Sequence, residues 1–153
     1  MWQMTVRRAF PALCSFLLFV SAACGDTGVD EVTCDKDGVV LEEGLEIRDI
    51  RCGSGPVADR GMVATIRYTA SSNSGVTFDS NQEPDEPYIF RLGAGQVLEG
   101  LDRGLDGMKV DGIRELVIPS ELAYGDAGLY PDVGSNETVT YEVELLALRE
   151  PSD

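Results

Sequence analysis

The chain has 153 residues, with 27 Asp and Glu against 12 Lys and Arg, no histidine and a formal charge of −15. Such a surface repels nucleic acid and anionic lipid headgroups, so neither is an expected partner. The missing histidine removes the commonest general base and the commonest metal ligand.

The first element is an address. Arg7 and Arg8 precede the apolar run from Ala9 to Val20, and Ser21, Ala22 and Ala23 follow it. Basic, apolar and small-residue regions in that order read as an export signal over residues 1–23. The apolar run is too short to cross a membrane comfortably. Ser21-Ala22-Ala23-Cys24 is similar to a bacterial lipobox, whose cysteine takes lipid and becomes the new N-terminus. The alternative is simple secretion, with Cys24 an ordinary cysteine. Losing residues 1–23 removes two arginines and no acid, leaving 10 cations against 27 acids, a charge of −17. Membrane contact would then come through acyl chains on Cys24. The expected location is a bacterial envelope, either periplasmic or lipid-anchored at the outer membrane.

Residues 24–38 are polar and glycine-bearing and read as a tether. Cys34 and Cys52 remain once the signal and Cys24 are set aside. In an exported chain they are expected to form a disulfide, free thiols being the alternative. Zinc fits poorly, since two cysteines without histidine or a CxxC spacing make no site.

Residues 39–150 read as one domain, mostly of strands. Val39-Val40-Leu41 and Leu45-Glu46-Ile47 flank Gly44 as a hairpin. Met62, Ala64, Ile66 and Tyr68 alternate with Val63, Thr65 and Arg67, placing Tyr68 on the buried face. Val76-Thr77-Phe78 and Tyr88 to Leu92 continue the sheet, separated by an acidic, proline-punctuated loop over residues 79–87. Val97, Leu98, Leu101 and Leu105 share one side of a short helix, which Gly100 and Gly104 weaken by up to about 1 kcal/mol each relative to alanine. Glu115 to Ile118 is a strand, and in the last strand Val139, Tyr141, Val143 and Leu145 face one way. The expected architecture is α+β, an antiparallel sheet of five or six strands curled around one short helix.

Tyr68-Thr69, Phe78-Asp79-Ser80, Leu92-Gly93, Gln96-Val97-Leu98-Glu99-Gly100, Gly107-Met108, Ala123-Tyr124-Gly125 and Tyr141-Glu142-Val143-Glu144-Leu145-Leu146 occur in this order. Over roughly residues 40–149 the chain resembles the FKBP-type peptidyl-prolyl cis-trans isomerases, the family that binds tacrolimus. The resemblance implies non-covalent catalysis without a cofactor or metal. It implies a pocket of Tyr68, Phe78, Tyr88, Val97, Leu101 and Tyr141, with Val133 as one apolar contact from the covering loop. Asp79 would stand at the twisting amide, while the Leu98 N–H and the Tyr124 hydroxyl would each hold a substrate carbonyl. The implied clients are proline-containing, incompletely folded envelope proteins, with macrolides like tacrolimus as possible ligands. The alternative is a chaperone or docking module of the same fold with little turnover. No long apolar stripe marks the surface, so a monomer is expected.

Three positions and one absence depart from the family. Leu101 stands where tryptophan is usual, Tyr88 replaces phenylalanine, and Asp132 replaces an isoleucine of the covering loop. Residues 80–87 lack the arginine that partners the pocket aspartate, so Asp79 is expected to be less firmly held.

Each residue has a plainer reading alone. Tyr68 and Tyr124 would be packing residues, Asp79 a turn cap, and Tyr141 and Phe90 core; for Phe90 the core reading is preferred. Gly93-Ala94-Gly95 with Gly100 has the wrong spacing for a dinucleotide fingerprint. The acidic loop lacks the alternating ligands and central glycine of a calcium site.

Overall fold

The structure is a computed structural model that describes Cys34 and residues 36–151. The export segment, Cys24 and most of the tether lie outside the described residues. Among the described residues there are seven strands: β1 (Val39–Val40), β2 (Glu46–Arg51), β3 (Val63–Ser72), β4 (Thr77–Ser80), β5 (Tyr88–Arg91), β6 (Ile113–Ile118) and β7 (Val139–Arg149). One α-helix, α1 (Glu99–Gly104), lies between β5 and β6. The count exceeds the expected five or six, with the two-residue β1 counted as a strand of the sheet.

All strand pairs are antiparallel, in the order β1-β2-β6-β7-β3-β4, with β5 also on β3. β7 shows why the pattern was readable: Val139, Tyr141, Val143 and Leu145 are buried, and the residues between them are not. An apolar side chain every second residue puts them all on one face. The alternation breaks at Leu146, where the register with β3 shifts from Leu145 opposite Ile66 to Ala147 opposite Thr65. One extra residue there bends and twists the strand.

β5 pairs with Val63 to Ile66 and β4 with Thr69 to Ser71, so both lie along one edge of β3. The chain between them bulges outward, and Asn81 stitches the gap. Its N–H donates to the Tyr68 carbonyl at 3.1 Å, its Oδ1 accepts the Tyr68 N–H at 2.7 Å, and its Nδ2 reaches the Ile66 carbonyl at 3.3 Å. Arg67 then donates to the carbonyls of Asn81 and Asp85, both at 2.9 Å.

Six residues make a helix too short to stand alone, so α1 depends on packing. Gly100 and Gly104, which lower its propensity, are its contact face. A Cβ at Gly100 would lie 2.2 Å from Ile118 Cγ2, and one at Gly104 would lie 2.6 Å from Leu116 Cδ2. The helix backbone therefore rests directly on β6. Arg114 of β6 closes the helix end, donating to the carbonyls of Gly104 at 2.9 Å and Asp106 at 3.1 Å. The same guanidinium grips Asp49 of β2 through two bonds of 2.7 and 3.1 Å. Both side chains are buried, 6% and 8% exposed. A planar fork meeting a carboxylate this way is both strong and directional.

Leu45, Ile66, Leu105, Met108, Leu116, Ile118, Val143 and Leu145 fill the space between sheet and helix. Phe90 is also buried core. Cys34 and Cys52 form a disulfide just past the end of β2, with Cα atoms 5.6 Å apart. Among the described residues no helix is long and apolar enough to cross a membrane.

Candidate active site

Four strands and one loop bring a set of aromatic rings together. Tyr68 lies on β3, Phe78 and Asp79 on β4, Tyr88 on β5 and Tyr141 on β7. Tyr124 follows the 3-10 turn Ser120–Leu122. Tyr141 is the hub, with its ring centroid 5.7 Å from that of Tyr68 and 6.3 Å from that of Phe78. Phe78 meets Tyr124 edge-on at 6.0 Å, and Tyr68 meets Tyr88 edge-on at 6.4 Å. Edge-to-face pairs at these distances are favourable beyond their buried area. Tyr88 remains 41% exposed, at the rim, and Tyr141 is 4% exposed, at the base.

The polar groups of this box are held in a fixed pattern. The Tyr68 hydroxyl donates to Asp79 Oδ2 at 2.8 Å, and the Ser80 N–H donates to Asp79 Oδ1 at 2.9 Å. The expectation that Asp79 is weakly held is thus corrected: a tyrosine and a backbone amide replace the absent arginine. The hydroxyls of Tyr124 and Tyr141 are 3.2 Å apart. Burial, then the bond to Tyr124, pushes the Tyr141 phenol well above its ordinary range. Burial, then Asp79, does the same for Tyr68. Both phenols stay protonated, because the anion would sit in poorly solvated, partly negative surroundings. With Tyr141 as donor, Tyr124 keeps its own proton for another acceptor.

Three local bonds fix Tyr124. The Gly125 N–H donates to the Ser120 carbonyl at 2.8 Å, the Gly128 N–H to the Tyr124 carbonyl at 3.2 Å, and the Asn136 N–H to the Gly125 carbonyl at 2.9 Å. Gly128 has φ +64°, and a Cβ there would fall 2.5 Å from the Val133 carbonyl. Only glycine fits this closed turn.

The remaining predicted residues lie at the helix entrance and the covering loop. Leu98 occupies the N-cap position with φ −53° and ψ 140°. Its carbonyl accepts the Asp102 N–H at 3.0 Å, and its own N–H meets no acceptor among the described residues. Val97 packs against the core, and Leu101 is 4% exposed. Val133 is 2% exposed and locked to Leu129 by two backbone bonds of 2.8 Å, so it packs inward. The outward side chains of that loop are Leu129, 41% exposed, and Tyr130, 94% exposed.

Sequence reasoning missed Asn81, Arg67 and the Arg114–Asp49 pair. Asn81 carried one faint signal, an asparagine between a strand and a proline-broken loop. Arg114 and Asp49 carried none, being 65 residues apart.

The antiparallel sheet with its one short helix carries aromatic rings from four strands in mutual contact, with the Asp79 carboxylate bonded to one of them. Residues 55–146 match the family described as FKBP-type peptidyl-prolyl cis-trans isomerase. The FK506-binding protein of Streptomyces anulatus is 42% identical over 106 residues, covering 68% of this chain and 86% of that one. Peptidyl-prolyl cis-trans isomerase FKBP2 of Mus musculus is 40% identical over 114 residues, covering 74% and 79%. The crystal structure of a peptidyl-prolyl cis-trans isomerase from Pseudomonas syringae superposes with a TM-score of 0.66 at 28% identity, covering 74% and 81%. The chain belongs to the FKBP-type peptidyl-prolyl cis-trans isomerase family. It spans only 24% to 29% of the length of several fungal and slime-mould relatives that it also matches.

Proposed function

We propose that this domain catalyses cis–trans isomerisation of X–Pro peptide bonds in proteins of a bacterial envelope, to which Cys24 anchors it by lipid. The observation that carries the reading is the aromatic box of Tyr68, Phe78, Tyr124 and Tyr141, with the Asp79 carboxylate bonded to the Tyr68 hydroxyl.

The uncatalysed rotation crosses a barrier of about 18–20 kcal/mol set by amide resonance. No bond breaks, so the box needs neither nucleophile nor proton shuttle. The proline ring would enter among Tyr68, Phe78, Tyr88 and Tyr141, above Leu101. The carbonyl ends of the substrate would be held by the Leu98 N–H and the Tyr124 hydroxyl. A twisted amide has lost its resonance and much of its polarity, so a dry aromatic wall favours it over the planar, solvated ground state. Asp79, bonded by Tyr68 and Ser80, would stand beside the rotating bond and orient it.

The test is turnover of a short Leu-Pro or Phe-Pro peptide, with and without tacrolimus. Catalysis that the drug suppresses supports the reading and shows that the pocket tolerates Leu101 and Asp132. No catalysis from a folded sample that still binds unfolded protein would favour the chaperone or docking reading instead.

A further inference from the structure

Two of the three segments that supply the proposed pocket contain no cation, and the third, with Val97, Leu98 and Leu101, carries Arg103, which pairs with Glu43 and Glu99. Residues 68–90 carry Asp79, Glu83, Asp85 and Glu86, and residues 115–148 carry Glu115, Glu121, Asp126, Asp132, Glu137, Glu142 and Glu144. Neither segment contains lysine or arginine. Arg67, Arg91, Arg114 and Arg149 flank the two segments directly; Arg91 donates to the Gly61 carbonyl, Arg114 is buried against Asp49, and Arg67 is turned to internal use. It donates to the Asn81 and Asp85 carbonyls and keeps only a 3.7 Å contact with Glu83.

Topology turns this into a rim. The 81–87 loop joins Asp79 to Tyr88, and the 125–137 stretch joins Tyr124 to the strand bearing Tyr141, so both loops spring from pocket side chains. Asp85 and Glu86 on one loop, and Asp126 and Asp132 on the other, are exposed. None of the four forms an ion pair among the described residues. Glu137 spends its oxygens on the N–H groups of Asn73 and Gly134, which leaves its charge uncompensated. An apolar pocket ringed by charge of one sign concentrates ligands of the other sign.

We infer that the pocket is selective for prolines flanked by lysine or arginine, in client segments of net positive charge. This rests on the isomerase reading and adds the class of chain to it. Asp79 is exposed but already engaged, accepting from the Tyr68 hydroxyl and the Ser80 N–H, so it is set apart from the four rim acids.

The test compares three peptides with one Phe-Pro core, flanked by lysines, glutamines or glutamates, on the full chain in detergent. At low ionic strength the lysine peptide should exceed the glutamate peptide about tenfold in kcat/KM, with glutamine between them. The difference should collapse near ~1 M salt, where the screening length is about 3 Å. The variant carrying Asp85→Asn, Glu86→Gln and Asp126→Asn should lose the ordering and keep its turnover of the glutamine peptide. A control carrying Asp37→Asn, Glu46→Gln and Glu150→Gln changes net charge equally, outside the two loops, and should keep it. Equal rates for all three peptides, or an ordering that survives in the rim variant, would overturn the proposal while leaving the isomerase reading intact. Absent turnover of every peptide sinks the isomerase reading; the same ordering is then read from peptide affinity by fluorescence anisotropy, where equal affinities overturn the rim.

Discussion

Tyr141 connects the two halves of the candidate site, touching Tyr68 and Phe78 by ring contact and Tyr124 through its hydroxyl. Replacing it with phenylalanine keeps the rings and removes the bond to Tyr124. Tyr124→Phe removes the hydroxyl proposed to hold substrate. It should lower kcat/KM roughly tenfold, about 1.4 kcal/mol of transition-state binding, while the urea midpoint stays near that of the parent. Loss of stability in step with activity would make Tyr124 a packing residue only. The two raised phenols also fix a pH dependence. A phenol whose folded pKa lies above its unfolded value of about 10 favours the folded state below that pH. That stability is lost as pH rises above the unfolded value, because the unfolded chain releases its protons first. Wild-type protein should therefore unfold on the alkaline side, with the transition shallower in Tyr141→Phe. Phenolate absorbance followed with circular dichroism checks whether ionisation and unfolding coincide.

At the scale of elements, α1 shows why helix propensity misleads when taken alone. The two glycines cost about 1 kcal/mol each as helix residues, yet any side chain at Gly100 collides with Ile118. Gly100→Ala should therefore destabilise the domain by about 1–3 kcal/mol despite alanine's propensity, as overpacking does. In an Ile118→Ala background the same change should cost less, and the difference in urea unfolding measures the contact. The buried positions Leu101 and Leu105 were readable from apolar spacing, whereas Val97 and Leu98, expected on the same helical side, precede the first turn. The β7 face was readable because strict alternation needs no partner to interpret it. What could not be read were contacts that depend on the assembled fold: Asn81 bridging a gap between two strands, Arg114 reaching back to Asp49, and glycines chosen by the neighbouring strand. Nor did the covering loop's length reveal that Val133 points inward, since that follows from the tight turn with Leu129.

Across the whole molecule, two ties hold distant parts together. The Arg114–Asp49 pair joins β2, β6 and the end of α1. Removing one partner strands a buried charge, so Arg114→Met should cost about 3–5 kcal/mol in chemical unfolding. Changing both residues to apolar side chains of similar volume should recover most of that loss. The disulfide closes a stretch with a sequence separation of 18. Replacing Cys34 and Cys52 with serine should cost about 3 kcal/mol by the loop-closure estimate.

The interrupted edge of β3 has a consequence for a protein proposed to handle unfinished chains. A long free strand edge is a template on which extended polypeptide can zip up by backbone pairing. Here one side of the sheet ends in the two residues of β1, and the other in two four-residue strands parted by a loop bearing Pro84 and Pro87. Among the described residues neither border therefore presents a long, uninterrupted seam on which a proposed client could pair instead of being released.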